Sequence, residues 1–271
     1  MAFDGFIPAF AAALNAAFLV AGVYIYVSLL RQIGARAVDP TDLTVRTFDW
    51  PEAFLAGGLA TLFLWSTSAS SSQNMSNMGS RELIANGVFT LGLLLFIAAF
   101  LRLRRLDVGV LGGFSKIGFT RVIMTGAILM LAAYPLIFLA DIMTQKFLGG
   151  GREKQGIVEL FNASGTLEQR IMIIVLAVTV APIAEEFFFR FFFYGVVKRY
   201  FGRSVGLAAS ALLFAAVHAH LPSFAPFFVL GACFTIAYEW SGSILVSMTM
   251  HAFFNALTLT ALAYPELVQQ Q

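Results

Sequence analysis

Three short patterns in the C-terminal third of the chain bring together side chains that can move protons. Glu185-Glu186-x-x-x-Arg190 sets two carboxylates and a guanidinium within six residues, while Phe214-x-x-x-His218 and His251-x-x-x-Asn255 add two imidazoles and an amide. On a helix, residues four apart share a face, so Glu186 faces Arg190 and His251 lies beside Asn255. Pairing Glu186 with Arg190 leaves Glu185 uncompensated, about 100° around the helix. A carboxylate beside a histidine suits general-base activation of water. A second histidine with an asparagine amide supplies donors that can stabilise an oxyanion. Together these groups describe hydrolysis of an amide without a serine or cysteine nucleophile.

The surroundings make these residues conspicuous. Of 271 residues, 59% are hydrophobic, 12% are charged and 29 are phenylalanine; soluble domains hold roughly 45–50% apolar and about 25% charged residues. With a mean hydropathy of +0.83, this composition excludes a cytosolic enzyme, a secreted domain and a disordered chain. A bilayer core of about 30 Å needs roughly 20 apolar residues per helix, which gives eight candidate spans: 7–30, 51–68, 83–101, 121–144, 171–197, 204–219, 223–240 and 243–263. Gly57-Gly58 and a serine-rich tail weaken the second, and Pro222 cuts the sixth short. The runs lack the dyad alternation of a barrel, so the expected fold is all-α, a polytopic transmembrane helical bundle of about eight spans. The segment leading into the first run carries Asp4 and no Lys or Arg, and the run is about twice the length of a signal peptide's apolar region, so it reads as a retained helix.

Lys and Arg counts in the loops set the expected orientation. With the N-terminus outside, the inner loops hold eleven basic residues and the outer loops five. Both termini are therefore expected on the non-cytoplasmic side of a multi-pass membrane protein, in the plasma membrane if the source is bacterial. The stretch from about 145 to 170, with Gly149-Gly150-Gly151, reads as an exposed connector. Cys233 stands alone, so no intrachain disulfide is possible, and a net charge of +2 gives no reason to expect nucleic acid as a partner. The expected organisation is 1–169 for N-terminal helices and loops, 170–262 for a catalytic core and 263–271 for a tail.

An ionisable group near the bilayer centre costs about 2.5–3.5 kcal/mol on insertion scales and is functional by default. Depth ties the three patterns together. At 1.5 Å per residue, Glu185 lies roughly 20 Å from the inner end of its span, His218 roughly 21 Å, His251 roughly 12 Å and Asn255 roughly 18 Å. Four polar groups on three helices thus fall within one or two turns of one level, as a single shared site requires. His220, beside Leu221-Pro222, reads as an interfacial loop residue. Pro182 either kinks its helix or restarts it, placing Glu185 and Glu186 near a first turn whose dipole favours negative charge.

No His-Glu-x-x-His occurs, which disfavours the common zinc-protease pattern; Gly-x-Gly-Asp and Gly-x-Ser-Gly are also absent. The three ordered motifs resemble those of the CPBP family of intramembrane proteases, which includes the type II CAAX prenyl endopeptidases. The likeness covers about 170 to 262 and departs from the family at Phe191, where many members have glycine. It implies an intramembrane endopeptidase acting on a membrane-anchored protein or lipidated peptide. Glu185 would activate water with His218, His251 and Asn255 would support the oxyanion, and Glu186 and Arg190 would hold the site in shape, with Phe214 as part of the second motif. The preferred reading needs no cofactor. Zinc held by Glu185, His218 and His251 is the alternative within the enzyme class. A non-enzymatic binding or immunity scaffold and a proton-coupled transporter are the competing classes.

Overall fold

The computed structural model describes residues 2–36, 47–70, 79–148, 156–218 and 220–264. Among them every regular element is helical. The elements are α1 (Ala2–Ala35), α2 (Trp50–Ser70), α3 (Ser80–Leu103), a short α4 (Val108–Leu111), α5 (Phe119–Leu148), α6 (Gly156–Ala163), α7 (Leu167–Val175), α8 (Ala181–Glu186), α9 (Tyr194–Val217), α10 (Phe224–Ser241) and α11 (Ile244–Ala263). Two π-helical segments, Leu176–Val180 and Phe187–Phe193, join α7 to α8 and α8 to α9.

Among the described residues, six helical stretches are long and apolar enough to cross a membrane, and they make this an integral multi-pass membrane protein. One of them, Leu167–Val217, has 51 residues, which as a straight helix would reach roughly 77 Å. Gly202 resolves the excess. Its φ of 83° and ψ of 170° break the helix inside α9, a conformation that glycine reaches without a Cβ clash. The two limbs then fold together so closely that a Cβ on Gly206 would sit 3.1 Å from the Lys198 backbone nitrogen. The weak second candidate does form a helix, α2, which is not one of the six.

The bundle is built around α10, which packs against α9, α5, α11 and α1 and buries Phe227, Leu230 and Phe234. A smaller apolar cluster of Leu83, Leu160, Ile173, Ala177 and Leu259 sits between α3, α6, α7 and α11. Its existence corrects the reading of 145–170 as an exposed connector. Gly156–Ala163 is helical, and Leu160 and Phe161 are buried; the three consecutive glycines lie outside the described residues.

Three basic residues, Arg36, Lys198 and Arg203, meet around Glu239. Glu239 takes Lys198 Nζ at 2.7 Å and Arg203 Nε at 2.9 Å, while Tyr194 donates to its other oxygen at 2.8 Å. Arg203 also donates to the Ile33 carbonyl and Arg36 to that of Glu239. These bonds tie the C-terminal end of α1 to α10 and to the bend in α9.

Candidate active site

The site begins with a proline. Within the π segment Leu176–Val180 the hydrogen bonds run five residues back, and the Ala181 N–H reaches the Leu176 carbonyl. The next donor in that register would be residue 182, bonding Ala177. Pro182 has no N–H. The Ala177 carbonyl is instead taken by the Asn255 side chain, whose Nδ2 donates to it at 2.7 Å from α11. The backbone stays helical through Val180, Ala181 and Phe187, so neither a break nor a fresh helix N-terminus exists here. The dipole therefore does not account for the adjacent carboxylates.

Glu186 is stabilised by side chains. It is fully buried, with Arg190 Nη1 at 2.8 Å from its Oε1 and His251 Nδ1 at 3.0 Å from the same oxygen. Arg190, also fully buried, lies over aromatic faces, 4.2 Å from the Phe214 ring centroid and 5.1 Å from that of Phe234. The negative faces of these rings offset part of the charge that lipid would penalise. The surrounding run Phe187, Phe188, Phe189, Phe191 and Phe192 is buried in the core, and Phe48, just before α2, and Phe63 within it meet the run edge to face.

Glu185 turns the other way and is partly exposed. Its Oε2 lies 4.0 Å from His218 Nε2 and 4.0 Å from His251 Nε2 and has no hydrogen-bonding partner. The opposite nitrogen fixes each imidazole. His218 Nδ1 is 2.6 Å from the Phe214 carbonyl. A carbonyl can accept but not donate, so Nδ1 carries the proton and donates. His251 Nδ1 likewise donates to the Glu186 carboxylate. In the neutral rings both Nε2 atoms are then lone pairs aimed at the Glu185 carboxylate. Acceptors converging on one space call for a donor between them, and a water about 2.8 Å away can donate to two of the three.

Glu185, His218, His251 and Asn255 all line one cavity of about 320 Å³. The structure thus brings together the four polar groups that depth had placed at one level. Glu186 and Arg190 stand behind them, and Phe214 packs against His218 with ring centroids 4.5 Å apart. The far wall comes from α3, through Leu83, Asn86, Gly87 and Thr90. His220 belongs to the same cavity; the sequence showed its type but gave no sign that the loop turns inward. The contact from Glu186 to His251 was equally hidden, since nothing in spacing pairs residues on separate helices.

Zinc would bind its nitrogen and oxygen ligands at about 2.0–2.2 Å, which sets tetrahedral ligand atoms about 3.3–3.5 Å apart. The two 4.0 Å separations are longer. Among the described residues no group of three His, Cys, Asp or Glu side chains could hold a metal ion as it stands.

Two adjacent carboxylates, an arginine and two histidines thus meet inside a membrane-spanning helical bundle. Residues 167–257 match the family model described as type II CAAX prenyl endopeptidase Rce1-like, the family that the three motifs resemble. The match spans about a third of the chain, contains every residue of the three motifs and supports a protease of the CAAX type. Neither a curated protein nor a solved structure matches the chain.

Proposed function

We propose that this protein is an intramembrane endopeptidase that hydrolyses a peptide bond of a membrane-anchored protein or lipidated peptide. The observation that carries the reading is the convergence of Glu185 Oε2, His218 Nε2 and His251 Nε2, with both rings oriented by bonds at Nδ1. Water bound there donates to Glu185 and His218. Glu185 removes its proton as the oxygen attacks the carbonyl carbon, and the same carboxyl returns that proton to the leaving amine. The second N–H of the Asn255 amide supports the oxyanion. His251 joins it in its protonated form, which alone can donate from Nε2 as well as from Nδ1 to Glu186. Glu186 and Arg190 hold His251 and the helix in place. The step runs through water and side chains, with no metal, and the site lies in a protein with both termini on the non-cytoplasmic side.

The test is proteomic comparison of membrane-protein C-termini in cells carrying the wild type or Glu185→Ala. New full-length termini in the variant support the endopeptidase. Identical termini, with biological activity intact, would instead favour a binding or immunity scaffold.

A further inference from the structure

His220 lies two residues beyond His218, on the short link between α9 and the turn Leu221–Ser223. Its ring is anchored, with Nδ1 2.7 Å from the Ser223 hydroxyl. The backbone closes the same loop, because the Ser223 N–H donates to the His220 carbonyl at 3.0 Å, and Pro222 fixes φ between them. Nε2 is buried without a hydrogen-bonding partner, and the residue lines the cavity that holds Glu185, His218, His251 and Asn255. A buried polar nitrogen without a partner is costly unless something else meets it.

We infer that His220 is a substrate-binding residue whose Nε2 donates a hydrogen bond to an oxygen of the bound peptide, either a backbone carbonyl or a terminal carboxylate. This rests on the endopeptidase reading and adds to it the group that holds the peptide beside the reacting bond. The direction of the bond follows from the balance of groups around it. Glu185 Oε2 and the Nε2 lone pair of His218 are acceptors, and one Asn255 N–H is already committed to Ala177. Peptide oxygens brought into this end of the cavity therefore meet few donors. The Ser223 hydroxyl can accept from Nδ1 or donate to it, and in the tautomer in which it donates, the ring proton of His220 sits on Nε2 and supplies one. The anchored ring and the closed turn hold that donor in place before the peptide arrives, which limits the entropy lost on binding.

The test uses the full-length protein in detergent with an S-farnesylated Cys-Val-Ile-Met peptide, as the free acid and as the C-terminal amide. Cleavage is followed in the wild type and His220→Ala, and equilibrium binding of a fluorescent version in Glu185→Gln with and without His220→Ala. The expected result is a KM and a Kd raised roughly tenfold by His220→Ala, with kcat within about twofold, and a smaller rise for Ser223→Ala. A loss confined to the free acid assigns the terminal carboxylate, and an equal loss on both peptides assigns a backbone carbonyl. Thermal unfolding of His220→Ala checks that the fold survives; if it does not, His220→Gln, which keeps a donor, carries the comparison. Binding that depends on His220 without any Glu185-dependent cleavage would sink the protease reading while leaving the contact standing. Cleavage with KM and Kd unchanged, or a fall in kcat alone, would overturn the proposal, as would a failure of both peptides to bind or be cut.

Discussion

The Asn255 amide donates to the Ala177 carbonyl across two helices at 2.7 Å, filling the place left by the N–H that Pro182 lacks. The bond holds α11 against the π segment that precedes the two glutamates, and so helps set the distance between His251 and Glu185. Asn255 then has two tasks, one N–H for Ala177 and the other for the cavity, and they can be separated.

Asn255→Ala should orphan the Ala177 carbonyl and cost about 1–3 kcal/mol, read as a lower unfolding temperature in detergent. Pro182→Ala restores a backbone donor at the same position. In the double variant, part of the stability lost by Asn255→Ala should return, a positive coupling in a double-mutant cycle. Activity should stay low, because the cavity N–H is still missing. Strictly additive stability losses would show that the carbonyl does not depend on Asn255.

The two adjacent carboxylates should fail in different ways. Glu185→Gln keeps its shape in a partly open position. It should cut turnover at least 10²-fold, as expected for removal of a general base, with little change in thermal unfolding. Glu186→Gln leaves Arg190 as a buried charge without its counter-ion and should destabilise by about 3–5 kcal/mol. Parallel unfolding and activity curves for the two variants make the distinction, and equal stability losses would contradict it.

That division was partly legible in the sequence. Glu186 and Arg190 could be paired from helical spacing alone, because four residues always bring side chains onto one face. Depth was enough to bring His218 and His251 to the level of Glu185, since apolar span length fixes position along the membrane normal. Rotation about each helix axis was not readable, so the bond from His251 to Glu186 and the inward turn of His220 came only with the fold. Helix α6 was missed because glycines and mixed charge dominate its surroundings, while its apolar residues are buried by partners distant in sequence, such as Leu83 and Leu259. Pro182 announced a missing donor. What the sequence could not say is that a π segment would absorb it and that a side chain 73 residues later would replace it.

Gly113 should prove as important to the position of α11 as anything in the cavity. It has a φ of 63°, and a Cβ there would run into the Gly242 carbonyl, while the neighbouring Gly112 carbonyl accepts the Ile244 N–H at 2.9 Å. These contacts dock the loop after α4 onto the turn that starts α11, the helix that carries His251. Gly113→Ala meets both a left-handed backbone, about 1–2 kcal/mol, and the collision. It should lower both unfolding temperature and activity. Gly118→Ala, with open space around its added Cβ, serves as the control that should leave both unchanged.

Metal removal should leave the enzyme active. Neutral His218 and His251 present Nε2 lone pairs towards Glu185, an arrangement that could attract a cation as well as a water. The two readings differ in what each imidazole needs. A water-filled site works with the 4.0 Å separations as they are, whereas zinc requires the three ligand atoms to close by about half an ångström. Exhaustive chelation followed by elemental analysis and a cleavage assay should give a metal-free protein with turnover within about twofold of the untreated enzyme, set against the effect of 10²-fold or more expected for loss of the general base. Loss of activity that zinc restores, together with about one zinc per chain and its disappearance in His218→Ala, would assign Glu185, His218 and His251 to a metal centre.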